Sequence, residues 1–63
     1  MRFKITNKAG LYTLCVYNIG YLVSMHNSHH KSYIKRLIRK YSEWVTHPKA
    51  ACYGKEVQED WNV

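Results

Sequence analysis

The sequence predicts an α+β fold, in which a three-stranded antiparallel meander packs on one amphipathic helix and a short tail element follows at the C-terminus. Two patterns support this prediction. The first half of the chain alternates aromatic and β-branched runs with turn residues, whereas residues 28–47 repeat apolar side chains at helical spacing. A chain of 63 residues has room for one thin hydrophobic core, so we expect a single domain over residues 1–63.

The first strand is predicted over residues 2–6, where Phe3 and Ile5 alternate with polar neighbours. Residues 7–10 end in glycine and predict a hairpin loop. The run over residues 11–17 is rich in aromatic and β-branched side chains, as central strands are. This part of the chain therefore predicts a β-hairpin.

The third strand is predicted over residues 21–26, after the turn residues Asn18, Ile19 and Gly20. The apolar side chains between residues 11 and 23 also fit a helical stripe, so a helix is the alternative. Gly20 and the β-branched content count against that helix. We therefore expect two strands in this segment.

The most clearly predicted element is a helix from about His29 to Thr46, capped by the hydroxyl of Ser28 or Ser32 and ended by Pro48. The core of the fold is predicted from the apolar faces of the strands and of this helix. Its candidates are Phe3, Ile5, Leu14, Val16, Leu22, Ile34, Leu37, Ile38, Tyr41 and Val45.

The tail after the helix is ambiguous. Residues 50–53 fit a short strand or an extended segment, and the spacing of Val57 and Trp61 fits a short helix over residues 55–61. A tryptophan this near the C-terminus indicates that the tail docks on the domain, and we expect it to close an edge of the sheet.

The charge of the chain is concentrated on the predicted helix. The net charge is +6, from 10 basic and 4 acidic residues. Five of the bases lie in two rows at spacings of four: Lys31, Lys35 and Arg39 in one, Arg36 and Lys40 in the other. Like charges at this spacing disfavour a helix slightly, so an uncompensated basic face indicates an anionic partner. The competing interpretation is a solvated face that keeps a small protein soluble.

Further candidate contacts lie in the sheet. Arg2 and Lys4 add positive charge in the first strand, and Tyr12, Tyr17 and Tyr21 are candidates for aromatic contacts. One sheet face packs on the helix, so the other must expose some of these rings. Exposed aromatic rings beside bases stack on nucleobases or anchor protein interfaces.

Neither metal binding nor catalysis is predicted, and no cofactor is expected. His26, His30 and Cys52 would make a conceivable zinc site, but the sequence has no regular Cys/His spacing. A cysteine could pair with a histidine as nucleophile and base, either Cys15 with one of the histidines or Cys52 with His47. No third orienting group accompanies either pair, and no glycine-rich phosphate loop is present. We therefore expect a protein that is not an enzyme.

Two classes of function fit these observations. The first is a nucleic-acid-binding module, or a part of a nucleic-acid-processing complex, that uses the five helical bases together with Arg2 and Lys4. The second is a virus- or mobile-element-encoded inhibitor or adaptor that binds an acidic patch on a host protein. Its candidate anchors are Tyr33, Tyr41 and Trp44.

The remaining expectations concern location and assembly. The N-terminus lacks the small-residue cleavage site of a secretory signal, and the uncharged run over residues 9–27 is too polar for a bilayer. We therefore expect a cytoplasmic protein without membrane contact, in which Cys15 and Cys52 remain reduced. A thin core makes a homodimer credible, because dimerisation adds burial.

Overall fold

A computed structural model describes residues 1–45, 47 and 56–63. The elements follow in the order β1 (Arg2–Lys8), β2 (Leu11–Asn18), β3 (Tyr21–Ser28), α1 (Lys31–Val45) and β4 (Gln58–Asn62). The four strands form one sheet in the order β3-β2-β1-β4. The predicted α+β class, with a meander, one helix and a C-terminal element, is confirmed.

The meander is joined by two tight turns. Ala9 and Gly10 connect β1 to β2, and Ile19 and Gly20 connect β2 to β3, all four with positive φ. Two-residue loops with this backbone match the twist of paired antiparallel strands. The first loop is shorter than the predicted residues 7–10, because β1 continues to Lys8. The amide of Gly10 donates to Asn7 Oδ1 at 3.0 Å across the turn.

The helix is two residues shorter at its start than predicted. The carbonyl of His30 accepts from the amides of Tyr33 and Ile34, at 3.2 and 3.4 Å. Neither serine caps this turn as expected, because the hydroxyl of Ser28 accepts from the amide of His30, at 3.1 Å, and Ser32 lies inside the helix. Residues 46 and 48, which include the proline predicted to end the helix, lie outside the described residues.

The tail, which the sequence left ambiguous, forms a strand over residues whose spacing also fitted a short helix. β4 pairs in parallel with β1, and Trp61 lies opposite Ile5. The amide of Gln58 donates to the carbonyl of Met1 at 3.1 Å, so the pairing starts at the first residue. The exposed edge of β1 supplies backbone partners that an isolated short helix lacks. The tail thus closes one sheet edge, as expected, while residues 50–53 lie outside the described residues.

The core lies between α1 and one face of the sheet. Its buried members among the described residues are Met1, Phe3, Ile5, Leu14, Val16, Ile34, Ile38 and Val45. Leu37 and Tyr41 pack against it half-buried, together with Tyr12 and Trp61. Nine of the ten predicted core residues therefore contribute.

Leu22 is the exception, with 55% of its surface exposed. The pairing of β2 with β3 shifts between Val16 and Tyr17, so that Ser24 lies opposite Val16 but Leu22 lies opposite Tyr17. Residues directly opposite each other in an antiparallel pair share a face. This irregularity therefore puts Leu22 on the sheet face away from the helix, which we call the open face.

Candidate functional site

The five helical bases are all exposed on α1, outside the stripe of residues that packs on the core. Ile34, Ile38 and Val45 are the buried residues of the helix. Lys31 and Lys35 each lie three residues before one of them and therefore flank the buried stripe, whereas Arg36, Arg39 and Lys40 point farther from the core. We call this surface the basic ridge: Lys31, Lys35, Arg36, Arg39 and Lys40. The structure brings together all five bases that the sequence placed on the helix.

Two acidic side chains lie beside the basic ridge among the described residues, Glu43 on α1 and Glu59 on β4. Arg39 Nε lies 3.7 Å from a carboxylate oxygen of Glu43, and both side chains are more than 70% exposed. A pair this exposed contributes little to stability because water screens it. The ridge therefore presents a positive field to solvent.

Arg2 and Lys4 do not join the basic ridge. They alternate with buried Phe3 and Ile5 along β1, which puts them on the open face, across the sheet from α1. Arg2 also lies 3.5 Å from Asp60 in an exposed pair. The predicted set of seven bases is thus divided between two opposite sides of the molecule.

The three candidate tyrosines are divided in the same way. Tyr12 packs against the core on the helix side of the sheet. Tyr17 lies opposite Arg2 on the open face, where both line a cleft of about 440 Å³ beside Met1 and Lys4. Tyr21 is 76% exposed at the start of β3. Of the three, Tyr17 and Tyr21 are therefore the ones accessible to an external partner.

A second cleft lies beside the basic ridge, between α1 and β4, and encloses about 640 Å³. Lys31, Lys35 and Arg39 line it together with Trp61. Lys31 Nζ lies over the indole ring of Trp61, 5.5 Å from its centroid. We call this the α1–β4 cleft: Lys31, Lys35, Ile38, Arg39, Ser42, Glu59 and Trp61.

Trp61 is a candidate binding residue that the sequence pattern did not indicate. Its position near the C-terminus indicated a docked tail, but no local pattern placed it beside the helical bases. That proximity arises only because β4 pairs with β1, whose inner face packs under α1. Tertiary pairing of this kind leaves no short-range sequence signal.

The histidines lie apart from both clefts. His26 is on the helix side of β3, where its Nε2 lies 2.7 Å from Ser24 Oγ and 3.1 Å from the hydroxyl of Tyr41. Cys15 lies on the open face, so the sheet separates it from His26 and rules out that nucleophile–base pair. Cys15 is a free cysteine.

No group of three or more His, Cys, Asp or Glu side chains within residues 1–45, 47 and 56–63 could hold a metal ion. No helix within the same residues is long and apolar enough to cross a membrane. Cys52 lies outside these residues.

Comparison with known proteins yields no relative: no protein-family model, curated protein or solved structure matches this chain.

Proposed function

We propose that this protein is a non-enzymatic binding module that holds nucleic acid on the basic ridge. The observation that carries the proposal is the exposure of five bases on one side of α1, with Glu43 as the acidic side chain paired to them. Bases four residues apart on a helix lie about 6 Å apart along its axis. Their ammonium and guanidinium groups suit a chain of phosphates, which would supply most of the affinity.

The test compares two double variants that change the charge equally on opposite sides of the molecule. Arg36→Glu/Arg39→Glu reverses charge on the basic ridge, and Arg2→Glu/Lys4→Glu is the matched control on the open face. Each replacement removes a positive charge and adds a negative one, so both variants fall from +6 to +2. Each also loses one exposed ion pair, with Glu43 or with Asp60.

Binding of labelled oligonucleotides would be followed by fluorescence anisotropy at about 50 and about 200 mM salt. We expect wild-type affinity to fall by roughly a hundredfold to several hundredfold between these conditions, because about five phosphates are neutralised on binding. The ridge variant should bind at least about tenfold more weakly and lower the salt slope by about two, whereas the control should stay near wild type. Salt-insensitive binding, or equal loss in both variants, would contradict the proposal.

A second candidate function is docking on an acidic patch of a host protein, as an inhibitor or adaptor. It is favoured by Tyr33 and Trp44, which are 44% and 41% exposed on the same helix as the bases. Aromatic side chains beside arginine are the usual anchors of protein interfaces. Tyr41 is a weaker anchor because it is half-buried and its hydroxyl contacts His26.

This alternative makes a distinct prediction. A specific protein should be retained from a nuclease-treated lysate, and Trp44→Ala should release it while oligonucleotide binding stays unchanged. If retention survives Trp44→Ala but is lost on nuclease treatment, the partner is nucleic acid and the docking function is refuted. Both functions would operate in the cytoplasm, where nucleic acids and host enzymes are accessible.

We also propose that two copies of the chain pair through β3. This strand is an edge of the sheet, and its eight residues include no acidic residue, lysine, arginine or proline. Tyr21, Leu22, Val23 and Met25 are between 48% and 76% exposed. Proteins usually protect such an edge with a charge, a proline or a covering segment. An acidic partner would be drawn to α1, so the occupant that suits this neutral edge is a second neutral strand, which β3 of another copy supplies.

The dimer is tested by sedimentation velocity across a range of protein concentrations. Val23→Lys puts a charge on the β3 edge and should shift the protein to monomer. Val57→Lys is the matched control, because Val57 is also exposed and lies outside the strands. A wild-type protein that stays monomeric at all concentrations, or a Val23→Lys variant that associates as wild type does, would refute the dimer.

A further inference from the structure

The α1–β4 cleft combines two kinds of group that bind different parts of a nucleotide. Lys31, Lys35 and Arg39 form one row of bases along its helical wall. The other wall holds the indole of Trp61, whose ring is half-buried. Phosphates bind to such bases, and nucleobases stack on such rings. A ligand in which phosphates and nucleobases lie close together along one chain fits the cleft better than a simple anion does.

Trp61 is held in place by its strand and its neighbours. β4 pairs with β1 along five positions, and the ring packs against the core. Its Nε1 donates to a carboxylate oxygen of Glu59 at 3.3 Å. A ring whose orientation is fixed in this way loses little freedom when a base stacks on it.

Lys31 marks the face of the ring that is open to the cleft. Its ammonium nitrogen lies over that face, in a cation–π contact that exposed lysines make only weakly. Lys31 is exposed and flexible enough to move aside when a base occupies the same position. It would then remain beside the phosphates of the incoming strand.

We infer that the nucleic acid held by the basic ridge is single-stranded, with an unpaired base stacked on Trp61 and the phosphates along Lys31, Lys35 and Arg39. This inference rests on the function proposed above. In a duplex, both faces of each base are covered by neighbouring base pairs, so a fixed indole has no face to stack on. A single strand exposes its bases and brings phosphates into the same cleft.

The first experiment compares a thymidine oligonucleotide of about 15 nucleotides with a duplex of the same length. We expect wild type to prefer the single strand by about tenfold, the effect of one stacked base. Trp61→Leu keeps an apolar side chain against the core but removes the stacking surface, and should abolish the preference. Trp61→Phe should retain most of the preference for the single strand. Trp44→Leu is the matched control and should leave this preference unchanged.

The second experiment observes Trp61 directly, in a variant that keeps this residue. The chain contains two tryptophans, so the Trp44→Phe variant has Trp61 as its single tryptophan fluorophore. Addition of the thymidine oligonucleotide should quench this emission strongly. The reciprocal variant, Trp61→Phe, leaves Trp44 and should show much weaker quenching.

The outcomes separate this inference from the proposed function. If Trp61 emission is unchanged on binding, or Trp61→Leu keeps the wild-type preference, single-strand stacking is refuted. The proposed function still stands in that case if Arg36→Glu/Arg39→Glu weakens binding of both single strand and duplex. If wild type binds neither, both proposals fail.

Discussion

At the scale of single residues, the turn between β2 and β3 contains a strained position. Ile19 has φ of 51°, in the left-handed region that β-branched residues rarely occupy. It occupies this region at the first position of a two-residue turn, with 71% of its surface exposed. Because Ile19 does not pack in the core, nothing offsets this strain. A residue that tolerates positive φ should therefore make the protein more stable.

We predict that Ile19→Asn stabilises the protein by about 1 kcal/mol, because asparagine tolerates the left-handed conformation that costs other residues about 1–2 kcal/mol. Chemical denaturation followed by circular dichroism would measure the change. Ile19→Val keeps the β-branch and should leave the free energy of unfolding nearly unchanged. A stability of Ile19→Asn equal to or below that of wild type would show that the turn is not strained.

At the scale of the element, β3 is a strand as its sequence predicts, but its side chains do not face the expected sides. The shift in pairing after Val16 turns Leu22 to the open face, and Ser24 and His26 face the helix. There the two polar side chains bond to each other, and His26 also contacts the hydroxyl of Tyr41. No buried side-chain nitrogen or oxygen among the described residues lacks a partner. Polar groups therefore occupy the core side of this strand at little cost.

Leu14 and Leu22 are both core residues by their sequence pattern, but we predict that their replacement affects the free energy of unfolding very differently. Leu14→Ala should cost about 2–5 kcal/mol, because it leaves a cavity in the core. Leu22→Ala should change the free energy of unfolding by less than about 0.5 kcal/mol, as exposed substitutions usually do. Urea titration of both variants measures this difference. A large loss at Leu22 would mean that β2 and β3 pair without the shift.

At the scale of the whole molecule, charge is segregated. The basic ridge lies on α1, a smaller group of Arg2 and Lys4 lies on the open face, and β3 is neutral. With a net charge of +6, these surfaces repel one another and oppose compaction. Separation across the sheet limits the cost and leaves α1 as the strongest positive surface.

This segregation predicts that salt stabilises the free protein. Raising sodium chloride from about 10 to about 200 mM should increase the free energy of unfolding by up to about 1 kcal/mol, because screening weakens repulsion along the ridge. Thermal denaturation at several salt concentrations would measure it. The Arg36→Glu/Arg39→Glu variant, which has less repulsion to screen, should respond less. Destabilisation by sodium chloride would indicate that attractive ion pairs dominate.

How far the sequence predicts this protein depends on the range of the interactions involved. Alternation in β1, helical spacing in α1 and glycine-containing turns are local, so they identified three strands, the helix and most of the core. The basic ridge follows from the same helical spacing. By contrast, the exposure of Leu22 depends on how β3 pairs with the neighbouring strand β2, which the alternation of side chains does not reveal. The strand formed by residues 58–62 depends on pairing with β1, at the other end of the chain.

The sequence by itself determined the α+β class and the gathering of five bases on one helix face, because short-range periodicity dictates both. Only the tertiary structure decided what lies beside those bases. Parallel pairing of β4 with β1 brings Trp61 to Lys31, and the packing of the Phe3 face of β1 against α1 leaves Arg2 and Lys4 on the far side of the sheet. The physical reason is that strand partners are chosen by hydrogen bonding and burial between segments far apart in the chain, for which no local pattern exists.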